Sequence, residues 1–420
     1  MYKRYLKHFL AAFLVCLPTL LPAFVPSTKA LGMGLVGVAY PQDAEAAAFN
    51  PGGLVWVGSR SDFGFTASHN YAKTRIRDNI NPSFNRNYDA TDKHFYYDFH
   101  GGWNHAICDG NASVGFQIYN NSLIYSKYPT PLPIFGTSNF RAGVWQEFAA
   151  TTLSFKVHPC HSLGISINYV LQSMYAFGIE NYAIDLLSLY PTRVTNKGTN
   201  YSHGVGYKIG YLGNFTKYIT VGASYQPEIK MSKMQKYRGL LAGRGRLNIP
   251  AEYALGIAIH PVSCFDISFD YRKVKYSNIP ALANPLIPNL TFAALGNANY
   301  KFGQNKGPGF GWKDKESYHL GAAYRVCDRL IVRGGYGRTN TWWGPTQTAV
   351  NMAGPETVEN FLTLGLTCCG WCATELSLHY IYGFPHEVFG ENSISALSGG
   401  GNADVRQRRH LFGIGFGKTF

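Results

Sequence analysis

The sequence predicts an all-β chain: a fourteen-stranded antiparallel transmembrane β-barrel. Three observations lead there. The chain opens with an export signal, it is rich in aromatics and glycine without a second long apolar run, and it alternates with period two from about residue 60 to its last residue.

The signal comes first. Lys3, Arg4 and Lys7 precede a 17-residue uncharged apolar run, Phe9 to Val25, that carries Pro18 and Pro22. This is the charged start and apolar centre of a secretory signal over residues 1–30, with cleavage after Ala23 or Ala30. A lipoprotein signal ending at Cys16 is disfavoured by the bulky Val15 before it, and the two prolines disfavour a retained membrane helix. Removing residues 1–30 takes away four basic residues and no acidic ones, so the net charge falls from +14 to about +10. No basic run is longer than Arg408-Arg409, which reads as dispersed, solvated charge and argues against a nucleic-acid partner.

Composition narrows the class. The chain has 46 Gly, 29 Tyr and 27 Phe with only 15% charged residues, which is neither disordered nor helical-membrane in type. A barrel spreads its lipid face over alternate residues, and four segments show it. Phe412, Ile414, Phe416 and Phe420 oppose Gly413, Gly415 and Gly417, while Val205, Tyr207, Ile209 and Tyr211 oppose Gly206, Lys208 and Gly210. Leu163, Ile165, Ile167, Tyr169 and Leu171 oppose Gly164, Ser166 and Asn168; Phe265, Ile267, Phe269 and Tyr271 oppose Asp266, Ser268, Asp270 and Arg272.

A soluble sandwich would alternate in the same way, so connection lengths decide. Short turns fall near 104–111, 157–162, 213–218, 260–265, 326–329 and 368–373, and long connections near 71–93, 121–144, 174–201, 229–249, 277–316, 340–357 and 384–407. Short turns on one rim and long loops on the other are the outer-membrane pattern. The strands so bounded are 60–70, 94–103, 112–121, 145–156, 163–173, 202–212, 219–228, 250–260, 265–275, 317–326, 330–339, 358–367, 374–383 and 409–420. An even number with both ends on the short-turn side closes a barrel, and closure satisfies every backbone group in lipid. The final alternating strand ending in Phe420 resembles the C-terminal signature read by the barrel-assembly machinery, a partner during insertion.

Before the first strand stands "LGMGLVGVAYPQDAEAAAFNPGGL", whose Gly32-x-Gly34-x-x-Gly37 has the spacing of a dinucleotide loop. It follows a signal rather than a strand and no βαβ unit follows it, so a nucleotide site is rejected. The stretch resembles instead the N-terminal hatch of the FadL/TodX-type outer-membrane hydrophobic-compound transporters, with a glycine-rich start, an acidic-Ala-rich centre and an Asn-Pro-Ala motif. Here the motif is Asn50-Pro51-Gly52; a third-position Gly keeps the residue small and is expected to raise local flexibility. The resemblance continues through 206–230, 249–277 and 311–341. It implies a hatch (31–59) plugging the lumen of a barrel (60–420) in the bacterial outer membrane. It also implies ligand capture at the outer loops, passage to a site inside the barrel, and sideways exit into membrane lipid where a strand kinks beside the hatch. Long-chain fatty acids or other hydrophobic small molecules are the implied cargo, Asn50, Pro51 and Gly52 the implied gate, and no cofactor is needed.

Strand parity places Lys208, Asp266, Asp270, Arg272, Arg333, Glu375 and His379 inside the barrel, where they would pair with one another or with the hatch. A cation among them could instead hold a substrate carboxylate, and Lys208 and Arg333 are the candidates. The aromatic loops "YSKYPTPLPIF" (125–135) and "NTWWGPT" (340–346) would serve either as an outward capture surface or as interface anchors. Cys108, Cys160, Cys264, Cys327, Cys368, Cys369 and Cys372 all fall in or beside the short turns, the periplasmic rim, where disulfides are permitted. Seven is odd, so at least one is free or paired with another chain. Cys369-Gly-Trp-Cys372 imitates a redox motif but lacks the helix that would lower a thiol pKa. Gly-x-Ser-x-Gly and His-Glu-x-x-His are absent, so the chain reads as a non-enzyme without a metal site. Two functions remain: passive hydrophobic uptake, and a structural or adhesive barrel with disulfide-linked envelope partners.

Overall fold

The computed structural model describes residues 26–91 and 95–420; the bulk of the predicted signal, 1–25, lies outside the described residues. Fourteen strands run in chain order around one antiparallel sheet: β1 Arg60–Arg77, β2 Phe95–Ile107, β3 Ala112–Pro131, β4 Asn139–His158, β5 His161–Phe177, β6 Asn200–Asn214, β7 Ile219–Gln226, β8 Glu252–Val262, β9 Phe265–Val274, β10 Lys315–Cys327, β11 Leu330–Thr339, β12 Asn360–Cys369, β13 Thr374–Val388 and β14 Asn402–Thr419. The ring closes where β1 pairs with β14, from Arg60↔Thr419 to Arg77↔Asn402. A three-residue strand, Asn87–Asp89, pairs with β1 only and stands outside the ring.

The alternation sorts as expected. Val205, Tyr207 and Ile209 face outward and exposed, as do Leu163, Ile165 and Ile167, while Ser166, Asn168 and Lys208 between them are buried inward. Strands extend beyond the predicted spans mainly on the loop side. β3 and β4 continue as a paired hairpin to Pro131 and Asn139, which shrinks the expected 121–144 loop to 132–138. Past the lipid no apolar outer face is required, so the alternation that reveals a strand fades while its backbone ladder continues.

The long loops build a layer of their own. Tyr128, Leu132, Phe135, Phe140, Tyr237, Leu282, Trp312, Trp342 and Trp343 form its buried core. The aromatic segments are therefore neither a greasy outer surface nor interface anchors but the packed interior of this cap. The loops also gather charge that the sequence disperses. Backbone bonds Leu189 N–Phe302 O, Gly239 N–Arg193 O and Arg244 N–Gly303 O knit together loops 178–199, 227–251 and 275–314. These three carry twelve basic and four acidic residues.

Residues 27–57 pack against the inner faces of the strands. A four-residue helix, Thr28–Leu31, is capped by the Ser27 side chain, and 3-10 turns follow at Ala46–Ala48 and Pro51–Trp56. The inward glycines of the wall make the room. A Cβ on Gly164 of β5 would lie 2.3 Å from the Pro51 carbonyl, on Gly222 of β7 2.1 Å from Val38 O, and on Gly365 of β12 2.9 Å from the Gly32 Cα. Gly34 adds a left-handed backbone, φ 68°, to a close approach to Leu320 O. Of the three fingerprint glycines, Gly32 and Gly34 thus serve backbone-to-backbone packing, and Gly37 makes room for the Phe49 ring.

Candidate binding chamber and wall opening

Polar groups of the wall hold the N-terminal segment in place. Asn50 is fully buried: its amide donates to Val38 O at 2.7 Å and to Tyr211 O of β6 at 2.8 Å, and its oxygen accepts from Gly52 N at 3.0 Å, capping the Pro51–Trp56 turn. Asp270 of β9 accepts from Gly37 N at 2.8 Å and Val38 N at 3.0 Å. Glu375 of β13 pairs with Lys29 and, at 2.7 Å, with Arg60 of β1, whose Asp62 neighbour accepts from Ala44 N. Glu45 meets His100 of β2 at 2.6 Å with both side chains buried. Burial lifts the Glu45 carboxyl to about 7, against the pull of the imidazole beside it.

Above this segment and beneath the loop cap lies a chamber of about 320 Å³, at the low end of small-molecule sites. Leu35, Ala48 and Phe49 line it from the N-terminal segment, Tyr119 and Phe148 from the wall, and Trp312 and Trp342 from the cap. Its charged lining is Lys208, Arg272, Lys315 and Arg409 against Glu252 and Glu356, an excess of cations. Arg409 pairs with Glu356, and Lys208 lies 3.9 Å from Glu252. Arg272 pairs with Asp270 at 3.2 Å and lies over the Phe49 ring. Lys315 lies 4.5 Å over the Trp342 ring, and among the described residues no carboxylate forms an ion pair with it. A second, apolar pocket of about 70 Å³ sits within the cap among Phe135, Phe140, Met174, Tyr182, Phe302 and Phe310.

The wall is incomplete beside the chamber. Among the described residues, β2 and β3 pair from Gly101↔Ile118 to Ile107↔Ala112; above that, β2 pairs with β1 and β3 with β4. The β3–β4 register shifts between Ser122 and Ile124, so the buried positions of β3 change from Gln117 and Tyr119 to Ile124, Ser126 and Tyr128. Such a bulge interrupts the ladder locally and reverses which positions face inward. Farther out, Lys127 N of β3 donates to Ala90 O, which follows the short strand Asn87–Asp89, at 2.9 Å. Between these points, among the described residues, side chains cross the gap: Asp98 with Asn120, and Tyr96 against Tyr125 with ring centroids 4.2 Å apart. Asn120, Asn121 and Tyr125 also line the chamber, so the gap and the cavity adjoin.

Residues 25–420 match the family model described as outer membrane protein transport protein (OMPP1/FadL/TodX). The chain belongs to this FadL/TodX family. Among solved structures, the FadL homologue of Pseudomonas aeruginosa is 15% identical over 95% of this chain and 100% of its own, with TM-score 0.70. The toluene transporter TodX of Pseudomonas putida is 13% identical over 93% and 97%, TM-score 0.68. The Ralstonia pickettii toluene transporter TbuX gives 13% over 95% and 99%, TM-score 0.62. At such identities the likeness is one of fold. No curated protein matches the chain. Family and barrel together place the chain in the bacterial outer membrane.

Within this family frame, the sequence candidates separate. Lys208 lies at the chamber, where it also donates to Ala48 O at 2.8 Å. Arg333 does not line the chamber; it donates to Gln42 Oε1 at 2.9 Å and Thr367 Oγ1 at 2.6 Å, anchoring the N-terminal segment. Asp266 takes the Tyr40 hydroxyl at 2.6 Å, and His379 lies 3.5 Å from Thr66. Parity gives facing but not depth, and depth decides who meets a ligand. Lys315, Glu252 and Glu356 sit at or beside the outer ends of β10, β8 and β12, where alternation fades, and Arg409 lies mid-strand in β14. Gly52, expected to loosen its segment, is held against the β6 backbone: a Cβ there would lie 3.0 Å from Gly210 O. The seven cysteines stand at the turn rim as free thiols, Cys108, Cys160, Cys327, Cys368 and Cys372 exposed and Cys264 and Cys369 partly so. No cluster among the described residues is placed to hold a metal ion.

Proposed function

We propose that this chain is a passive channel for amphiphiles with a long apolar tail and a carboxylate head, long-chain fatty acids being the natural class. The apolar cap pocket captures the tail, the chamber receives the molecule with its head among Lys208, Arg272 and Lys315, and the β2–β3 gap releases it sideways into lipid. The observation that carries the reading is the gap beside the chamber, closed by side chains rather than by a hydrogen-bonded ladder. Each buried CH2 contributes ~0.8 kcal/mol, so a lateral exit keeps the tail out of water where a periplasmic exit would expose it.

Residues 31–59 act as the hatch in this reading, with Asn50, Pro51 and Gly52 its joint against β5 and β6. Signal cleavage follows Ala23, because Ser27 and Lys29 bond to Asp43 and Glu375 and removal of residues up to Ala30 would take both anchors away.

The test is uptake of labelled oleate and labelled toluene by vesicles containing the folded protein. Oleate entry should exceed that of empty vesicles at least tenfold, and Lys315→Met should cut oleate entry several-fold while leaving toluene entry unchanged. Equal entry into empty vesicles refutes the channel. An equal loss for both cargoes refutes the carboxylate.

A further inference from the structure

All seven cysteines of the described chain stand on one rim. Cys108 follows β2, Cys160 joins β4 to β5, Cys264 joins β8 to β9, Cys327 ends β10, Cys368 and Cys369 end β12, and Cys372 lies in the turn to β13. Five of the six short turns therefore carry a thiol, and the outer loops carry none. The thiols are exposed or partly exposed, and none is bonded. A need to fill space would put cysteines in the core, where small apolar residues pack; here they are kept from the core and the lipid-facing middle of the wall alike.

Spacing limits what they can do within one chain. Neighbouring short turns are separated by two strands, about 10 Å at the usual spacing, whereas a disulfide needs Cα atoms within about 7 Å. Cys108 and Cys160 sit on such neighbouring turns, and the next turn, residues 215–218, has no cysteine. These two have no partner within reach in their own chain.

We infer that the periplasmic rim is a set of disulfide-forming sites that tie this barrel covalently to thiols of neighbouring polypeptides. The chemistry is thiol–disulfide exchange with a periplasmic dithiol oxidase. A rim thiolate attacks the oxidase disulfide, forming a mixed disulfide and releasing one oxidase sulfur. The neighbour's thiolate then displaces the second, leaving an S–S bond between the two chains, and the oxidase takes both electrons and both protons as its dithiol. Because the thiols occupy several sectors of the rim, one barrel can be joined to more than one neighbour.

The experiment is non-reducing electrophoresis of intact envelopes from cells making the full chain, with thiols first blocked by N-ethylmaleimide. Most of the chain should run above the monomer, and a thiol reductant should raise the monomer band at least fivefold. Cys108→Ser with Cys160→Ser should weaken the high-mass bands, and serine at all seven positions should abolish them while the heat-modifiable mobility of a folded barrel persists. The smallest adduct identifies the source: twice the chain mass means a second copy, and any other mass a different envelope polypeptide. A wild-type monomer overturns the inference, whether it carries seven blocked thiols or internal disulfides. Oleate uptake by the seven-serine variant should match wild type, since the rim is separate from the chamber.

Discussion

Asn50 shows how one side chain can anchor a whole segment inside a barrel. It is fully buried and makes three hydrogen bonds, one within its own turn, one across the N-terminal segment and one to the wall. Asn50→Ala leaves buried carbonyls unpaired and removes a cap, a cost of about 2 kcal/mol. The expected outcome is faster hydrogen exchange in residues 43–54 with the barrel's thermal transition little changed. Glu45 gives the same segment a pH dependence. Its carboxyl rises from 4.5 to about 7 on burial, so the packed state binds more protons than the released one between those values. The contribution of Glu45 to the segment's protection should therefore be full below about pH 4.5 and be lost as pH rises through 7, with Asp43, Asp62 and His100 as the charged neighbours. Glu45→Gln should flatten the profile, measured by exchange corrected for intrinsic rate.

At the scale of elements, the bulge in β3 separates this wall from a sealed one. Filling the gap should block exit without disturbing capture: Asn120→Trp is expected to slow oleate entry about tenfold in the vesicle assay while oleate still binds the detergent-solubilised protein. Gly164→Val tests the opposite contact. Its side chain would occupy the place of the Pro51 carbonyl and push the segment off the wall, which should raise leakage of small polar dyes. The strands themselves were legible because lipid demands an apolar residue at every second position, and the inward glycines of Val205–Tyr211 and Leu163–Leu171 stood out against it. The gap was not legible. Nothing in "YNNSLIYS" (119–126) marks a register shift, since a bulge changes which neighbour a residue faces without changing its type. The register shift is visible only in the ladder.

For the whole molecule, charge and apolar surface are arranged along one axis. Basic residues concentrate in three joined loops on the outer side, the apolar cap pocket lies among those loops, the cationic chamber lies below, and the opening is beside it. Such a gradient attracts an anionic amphiphile before contact and is screened within about 10 Å at 0.1 M salt. The initial rate of oleate capture should therefore fall as ionic strength rises from 10 to about 300 mM, while toluene capture stays level. The sequence hid this arrangement because the cations are spaced singly along 178–251 and 301–313 and meet only when the loops fold together.

The route itself is open to one direct observation. An oleate analogue with a photoreactive group at its tail, incubated with the folded protein in vesicles and activated by light, should label Tyr96, Tyr119, Asn120 or Tyr125 at the β2–β3 gap, as read by peptide mass spectrometry. Labelling confined to the periplasmic turns, or to lipid-facing positions away from the gap such as Val205 and Leu364, would contradict lateral release.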